Sequence, residues 1–254
     1  MTLPDEGYLE HAKPFLEHLE DLRRTLLWCA VALAVGIIIA VPLTPWILEL
    51  LKIPLEKAHV DPDIFLRVIR VTESFSISAQ IIFWGGLLIS IPLMVLAIGN
   101  FVFLGLRRRE RRAILHMSGF AAALFVGGVC MGYFWTVPVA LQVMFQVNKW
   151  LGVRCEFVEL SDYVGFVLKL LIAFGLAFQL PVIILALGSM EIVTSEQLRK
   201  IRPYVIVGLL VVAAIMTPTT DPLSQVLMAA PMAVLYEFCI WMIRMREQRR
   251  SAVG

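Results

Sequence analysis

Long apolar runs broken by short charged segments divide this chain, and the runs exceed the length of a β-strand. About 20 apolar residues carry a helix across the hydrocarbon core of a bilayer. On that measure the pattern predicts six membrane helices, at about 26–45, 75–104, 113–138, 163–188, 204–217 and 222–243. Residues 1–25 form an amphipathic tail before the first span, and 244–254 a polar tail after the last. The prediction is an all-α membrane protein, a single domain over 1–254 with no internal repeat.

Local chemistry refines the boundaries. The first span is expected to end near Pro42 and Pro45, and Pro92 to kink the second. Pro203 suits the start of the fifth span, and Asp221-Pro222 reads as N-cap plus first-turn proline for the sixth. Thr194 to Gln197, "TSEQ", has the pattern of a capping box, here opening a short helix between the fourth and fifth spans. In the long loop after span one, "WILELLKIPLEKA" has mixed helical periodicity and is expected to pack as a cap. Spans five and six are short. Tyr204 to Thr220 is uncharged but covers only about 25 Å as a helix, and Glu237 interrupts the run that starts at Pro222. A thinned bilayer or a covering partner is expected there.

The basic residues orient the chain. Fifteen lie in the N-tail, the loops after spans two and four, and the C-tail, against six in the opposite loops. The richer side is cytoplasmic by the positive-inside rule, which puts both termini inside. The composition, 59% apolar and 17% charged, with mean hydropathy +0.83, is that of a membrane protein, and a net charge of +2 gives no reason to expect nucleic acid. Four scattered histidines and four widely spaced cysteines, with no C-x-x-C, predict neither a metal site nor a disulfide framework. The opening "MTLPDEGYLEHAKPF" is too polar and acidic for a signal peptide. Hydrolase and cofactor motifs are missing, so neither an enzyme nor a cofactor is expected.

Three places carry polar residues of interest. Phe15, Leu19, Leu22 and Leu26 form one helical stripe, while Glu17, Glu20, Asp21, Arg23 and Arg24 occupy the opposite face, with Glu20 and Arg24 in i,i+4 register. That face is either a solvated surface of an interfacial helix or a binding surface. In "RRRERR", Arg107 to Arg112, the arginines read as a topology signal, and Glu110 is either incidental or functional. Gln179, two residues before Pro181, is either glue between helices or a docking point for a partner helix.

In order along the chain, "FLEHLEDLRRTL", "IPL" around Pro54, "RRRERR", "FGLAFQLPV", "LRKIRPYV", "TPTTDPLSQ" and "APMAVLYE" resemble the signatures of the TatC family, core receptors of the twin-arginine protein translocase. The resemblance covers about Phe15 to Arg246. It implies a cupped bundle of six helices in the bacterial plasma (inner) membrane that reads twin-arginine signal peptides of folded cargo on its cytoplasmic face. It also implies single-span TatA- and TatB-type partners, a multi-copy complex and export driven by the proton-motive force. By this resemblance the signal-binding residues are Asp21, Glu20, Glu110, Arg23, Phe101 and Arg111. Gln179, Thr217, Pro218 and Gln225 fall at the expected partner-docking positions, and Pro54, Pro181, Asp221 and Glu237 at structural ones. Gln179 is expected to face the concave, partner-binding side of span four. The chain departs from the family in three places: Gln179 stands where glutamate is common, Leu104 where proline is, and "TPTTDP" is one residue longer before Asp221.

Of the competing readings, a small-solute transporter calls for broken helices in two matching halves and ionisable groups at mid-membrane. An intramembrane hydrolase calls for a nucleophile and base. Neither pattern is visible.

Overall fold

Uncharged sequence at membrane length folds as helix because a backbone in lipid has no water to satisfy its polar groups. The computed structural model describes residues 13–58, 60–103, 111–152, 157–189, 193–216 and 222–251. Helix α1 (Lys13–Lys57) is followed by a short α2 (Pro62–Phe65) and a two-residue strand β1 (Leu66–Arg67). Next, α3 (Glu73–Gln80) passes through a π turn at Ile81–Gly85 into α4 (Gly86–Phe103). Helix α5 (Arg111–Met131) likewise passes through a π turn at Gly132–Thr136 into α6 (Val137–Trp150). After strand β2 (Val158–Glu159) come α7 (Leu160–Ala177), α8 (Leu180–Ser189), α9 (Ser195–Met216) and α10 (Pro222–Ser251).

Among the described residues, five helical stretches are long and apolar enough to cross a membrane: Leu19–Lys57, Glu73–Gly99, Gly119–Trp150, Leu160–Leu185 and Met228–Gln248. Helix α9 is not among them, because Arg199, Lys200 and Arg202 charge its first turns.

Prolines shape these helices differently from the expectation. Helix α1 does not stop near Pro42 and Pro45 but continues through both, and through Pro54, to Lys57. A proline removes one donor, and tertiary contacts hold the far end in place. Leu51 and Leu55 are buried there, and the Tyr133 and Tyr163 hydroxyls donate to the carbonyls of Leu50 and Leu51 at 2.6 and 2.7 Å. The segment expected to form a separate cap is thus the last three turns of α1. Helix α4 runs through Pro92, and the irregularity of that span is the π turn before it. In the fourth span the helix does break, at Phe178 and Gln179, just ahead of Pro181.

The capping box forms. Gln197 N–H donates to Thr194 Oγ1 at 3.3 Å and Thr194 N–H to Gln197 Oε1 at 3.0 Å. The helix it opens is not a short separate one: α9 continues through Pro203 to Met216.

Beyond the first span, β1 pairs in parallel with β2, Leu66 opposite Val158 and Arg67 opposite Glu159. Beneath them lies Glu73, only 4% exposed, whose carboxylate accepts from the N–H groups of Ile69, Arg70 and Ser161 at 2.7, 3.2 and 3.2 Å. Gln80 Nε2 donates to Ser161 Oγ at 2.8 Å. The largest buried cluster spreads from Leu51 and Leu55 through Tyr133 and α7 to Met228 and Met232.

Candidate functional site

Helices α1 and α4 cross at glycine. A Cβ on Gly36 would collide with the Gly86 carbonyl and the Ser90 hydroxyl, and a Cβ on Gly86 would sit 2.8 Å from Ile37 Cα. The contact is closed by Ser90, fully buried and donating to Gly86 O at 2.6 Å.

On the N-terminal side of this crossing the two helices leave a groove of about 600 Å³. Asp21, Arg24 and Thr25 form its mouth. Trp28, Val31 and Val35 from α1 face Leu93, Leu96 and Ala97 from α4 along its length. The two helices are antiparallel here, so the C-terminal end of α4 lies at the same end of the bundle as the acidic turn of α1.

Asp21 is half-buried, while Glu20, Arg23 and Arg24 are exposed. Among the described residues none of these four side chains forms an ion pair, so the Glu20–Arg24 register does not produce a bridge. The helix itself is continuous here, and Thr25 Oγ1 donates to the Asp21 carbonyl at 2.9 Å. The apolar stripe opposite remains open: Leu19 is 44% exposed and Leu26 61%.

Of the remaining residues singled out from the sequence, Phe101 lies in the last turn of α4 and Arg111 opens α5. Glu110, Thr217, Pro218 and Asp221 lie outside the described residues. Pro54 and Pro181 are buried, and Gln225 in α10 is half-buried.

Gln179 makes the bond between helices that one of its two readings called for. It is buried, 8% exposed, and its Nε2 donates to the Ala121 carbonyl of α5 at 3.1 Å. Two glycines allow α5 and α7 to approach this closely: a Cβ on Gly128 would lie 2.7 Å from the Phe174 carbonyl, and one on Gly175 would overlap the Phe125 ring.

Glu237 does not simply interrupt its span. It pairs with Arg202 across the α9–α10 hairpin at 2.5 Å. The same hairpin is tied by Tyr236, whose hydroxyl donates to Leu198 O at 2.7 Å, and by Glu247, which accepts from Ser195 N–H at 2.9 Å. Neither Glu73, Arg202 nor Glu247 stands out in the sequence as a tie point. A carboxylate at the start of an apolar run is the one signal that could have marked Glu73.

Comparison with known proteins gives one answer at every level. The family model described as "Sec-independent protein translocase protein (TatC)" matches residues 17–231. A Sec-independent protein translocase protein TatC of Deinococcus radiodurans is 33% identical over 94% of this chain and 91% of its own length. The TatC of Aquifex aeolicus is 31% identical over 94% of this chain and 98% of its own. A crystal structure of the twin-arginine translocase receptor TatC superposes with a TM-score of 0.80 at 31% identity, covering 90% of this chain and 98% of that one. Matched over most of its length by family model, relatives and solved structure alike, the chain belongs to the TatC family of Sec-independent protein translocase proteins.

Proposed function

We propose that this chain is the signal-reading core subunit of a twin-arginine translocase in the bacterial inner membrane, with six spans and both termini cytoplasmic. Asp21 and Glu110, assisted by Glu20, accept the paired arginines of a signal peptide. The observation that carries this reading is that Asp21 and Glu20 stand without ion-pair partners among the described residues, although Arg23 and Arg24 share their turn. Free carboxylates on a basic face suit guanidinium groups, which engage them through two parallel N–H donors; lysine offers only a point charge. Arg23 positions the acidic turn, and Phe101 and Arg111 belong to the same site by their match to the family's motifs.

TatA- and TatB-type single-span partners dock on the exposed apolar stripe of α9, where the uncharged runs of the fifth and sixth spans are short. Tyr204, Val207, Val211 and Ile215 recur at helical spacing on α9 and are 78, 59, 53 and 71% exposed. Thr217 and Pro218 follow this stripe, and Gln225 lies in the next helix. Gln179 supports the docking face from within, through its bond to α5. Cargo crossing in the multi-copy complex draws on the proton-motive force.

A photo-crosslinking twin-arginine peptide added to inverted membrane vesicles tests the site. Labelling of the chain should fall several-fold in Asp21→Asn with Glu110→Gln, and equally when the peptide carries two lysines. Unchanged labelling in that double variant would remove these acids from the site.

A further inference from the structure

We propose that the groove between α1 and α4 is a specific site for one aminophospholipid of the adjacent leaflet, of the phosphatidylethanolamine type. This goes beyond the signal-binding reading: the lipid holds Asp21 while no signal peptide is bound, and its tests use neither a signal peptide nor a change at Asp21.

The groove has the polarity of such a lipid. Its mouth holds one acid and one base, Asp21 and Arg24, three residues apart on one helix face and paired with nothing among the described residues. A primary ammonium beside a phosphate complements that couple. The ammonium donates to the Asp21 carboxylate, and the guanidinium binds the phosphate through its forked donors. A choline headgroup has no N–H to donate, and a glycerol headgroup brings no positive charge to Asp21. Trp28 lies directly below, at the depth where indole rings favour the headgroup boundary.

Its depth is that of one leaflet. From Thr25 to Val35 the helix rises about 15 Å, half of a hydrocarbon core about 30 Å thick. The floor ends at the Gly36–Gly86 crossing, where the two backbones meet. Its volume is about 600 Å³, and it opens along its length between the two helices. A flexible chain one carbon wide can follow walls made of Val35, Leu93 and Ala97.

The test uses the purified full chain in vesicles of phosphatidylethanolamine, phosphatidylcholine and phosphatidylglycerol in equal parts, extracted stepwise with detergent and weighed by native mass spectrometry. One phosphatidylethanolamine should be retained at least tenfold over the other two lipids. Ala97→Phe on α4 and Ala32→Phe on α1, whose side chains line opposite walls of the groove, should each abolish that retention, and Arg24→Gln should reduce it several-fold. If a bulky variant fails to elute as a monodisperse peak, the other bulky variant and Arg24→Gln decide. Retention in proportion to the bulk lipids would show an annular lipid only and overturn the proposal, as would full retention in Ala97→Phe. A photoreactive side chain at Trp28 should label phospholipid. Labelling of a peptide segment instead would also overturn it.

Discussion

Glu73→Ala is the most informative single perturbation of the fold. The wild-type carboxylate is nearly inaccessible and accepts three backbone N–H bonds, two from the turn at Ile69 and Arg70 and one from Ser161, 88 residues away. It also opens α3, where the positive end of the helix dipole favours a negative charge. Leaving a buried donor unpaired costs about 1–3 kcal/mol, so three dry donors would cost roughly 3–9. Ile69 and Arg70 are exposed residues, so water can replace much of what their N–H groups lose. That places the expected loss near the lower bound, about 3 kcal/mol, or roughly a hundredfold in the unfolding equilibrium. Glu73→Gln keeps one acceptor oxygen and should lose about half as much. Unfolding in mixed micelles of increasing denaturing detergent measures the difference, and amide exchange at 158–161 should accelerate in Glu73→Ala. If that variant unfolds within about 0.5 kcal/mol of the parent, with exchange at Ser161 unchanged, the carboxylate does not hold the two outer segments together.

Tyr163→Phe strips the donor from the buried Leu51 carbonyl and should destabilise by about 1–2 kcal/mol; a change in micelle unfolding below about 0.3 would contradict it. Arg202→Ala and Glu237→Gln remove a half-exposed pair, so a double-mutant cycle should return a coupling of about 0.2–1 kcal/mol. Gln179→Leu should cost about 1 kcal/mol through the lost bond to Ala121, measured by the same unfolding assay even when no partner protein is present. A loss seen only with partner present would favour a docking role for the amide alone.

What the sequence settled was local or collective. The capping box at Thr194 to Gln197 was legible because its bonds close within three residues. The start of α10 at Pro222 was legible because a proline suits the first turn of a helix. Helices at membrane length followed from hydropathy, since lipid leaves the backbone no other way to satisfy itself. The acidic turn could be singled out because carboxylates are rare at the mouth of an apolar span, and Asp21 does lie at the mouth of a groove.

Tertiary structure decided everything that depends on which side of a helix faces which neighbour. Arg202 meets Glu237 at a separation of 35 residues, Gln179 meets Ala121 at 58 and Tyr163 meets Leu51 at 112. No local pattern encodes those distances. Nor could hydropathy show how α1 is rotated, because lipid tails are as apolar as a helix interface. Exposed Val35 and buried Gly36 are neighbours in one unbroken apolar run. Only the close approach of Gly36 to Gly86 separates the face that packs from the face that meets lipid, and that approach also ends the groove. The same holds at Pro42, Pro45 and Pro54: a proline removes a donor whatever its context, but buried Leu51 and Leu55 determine that the helix continues.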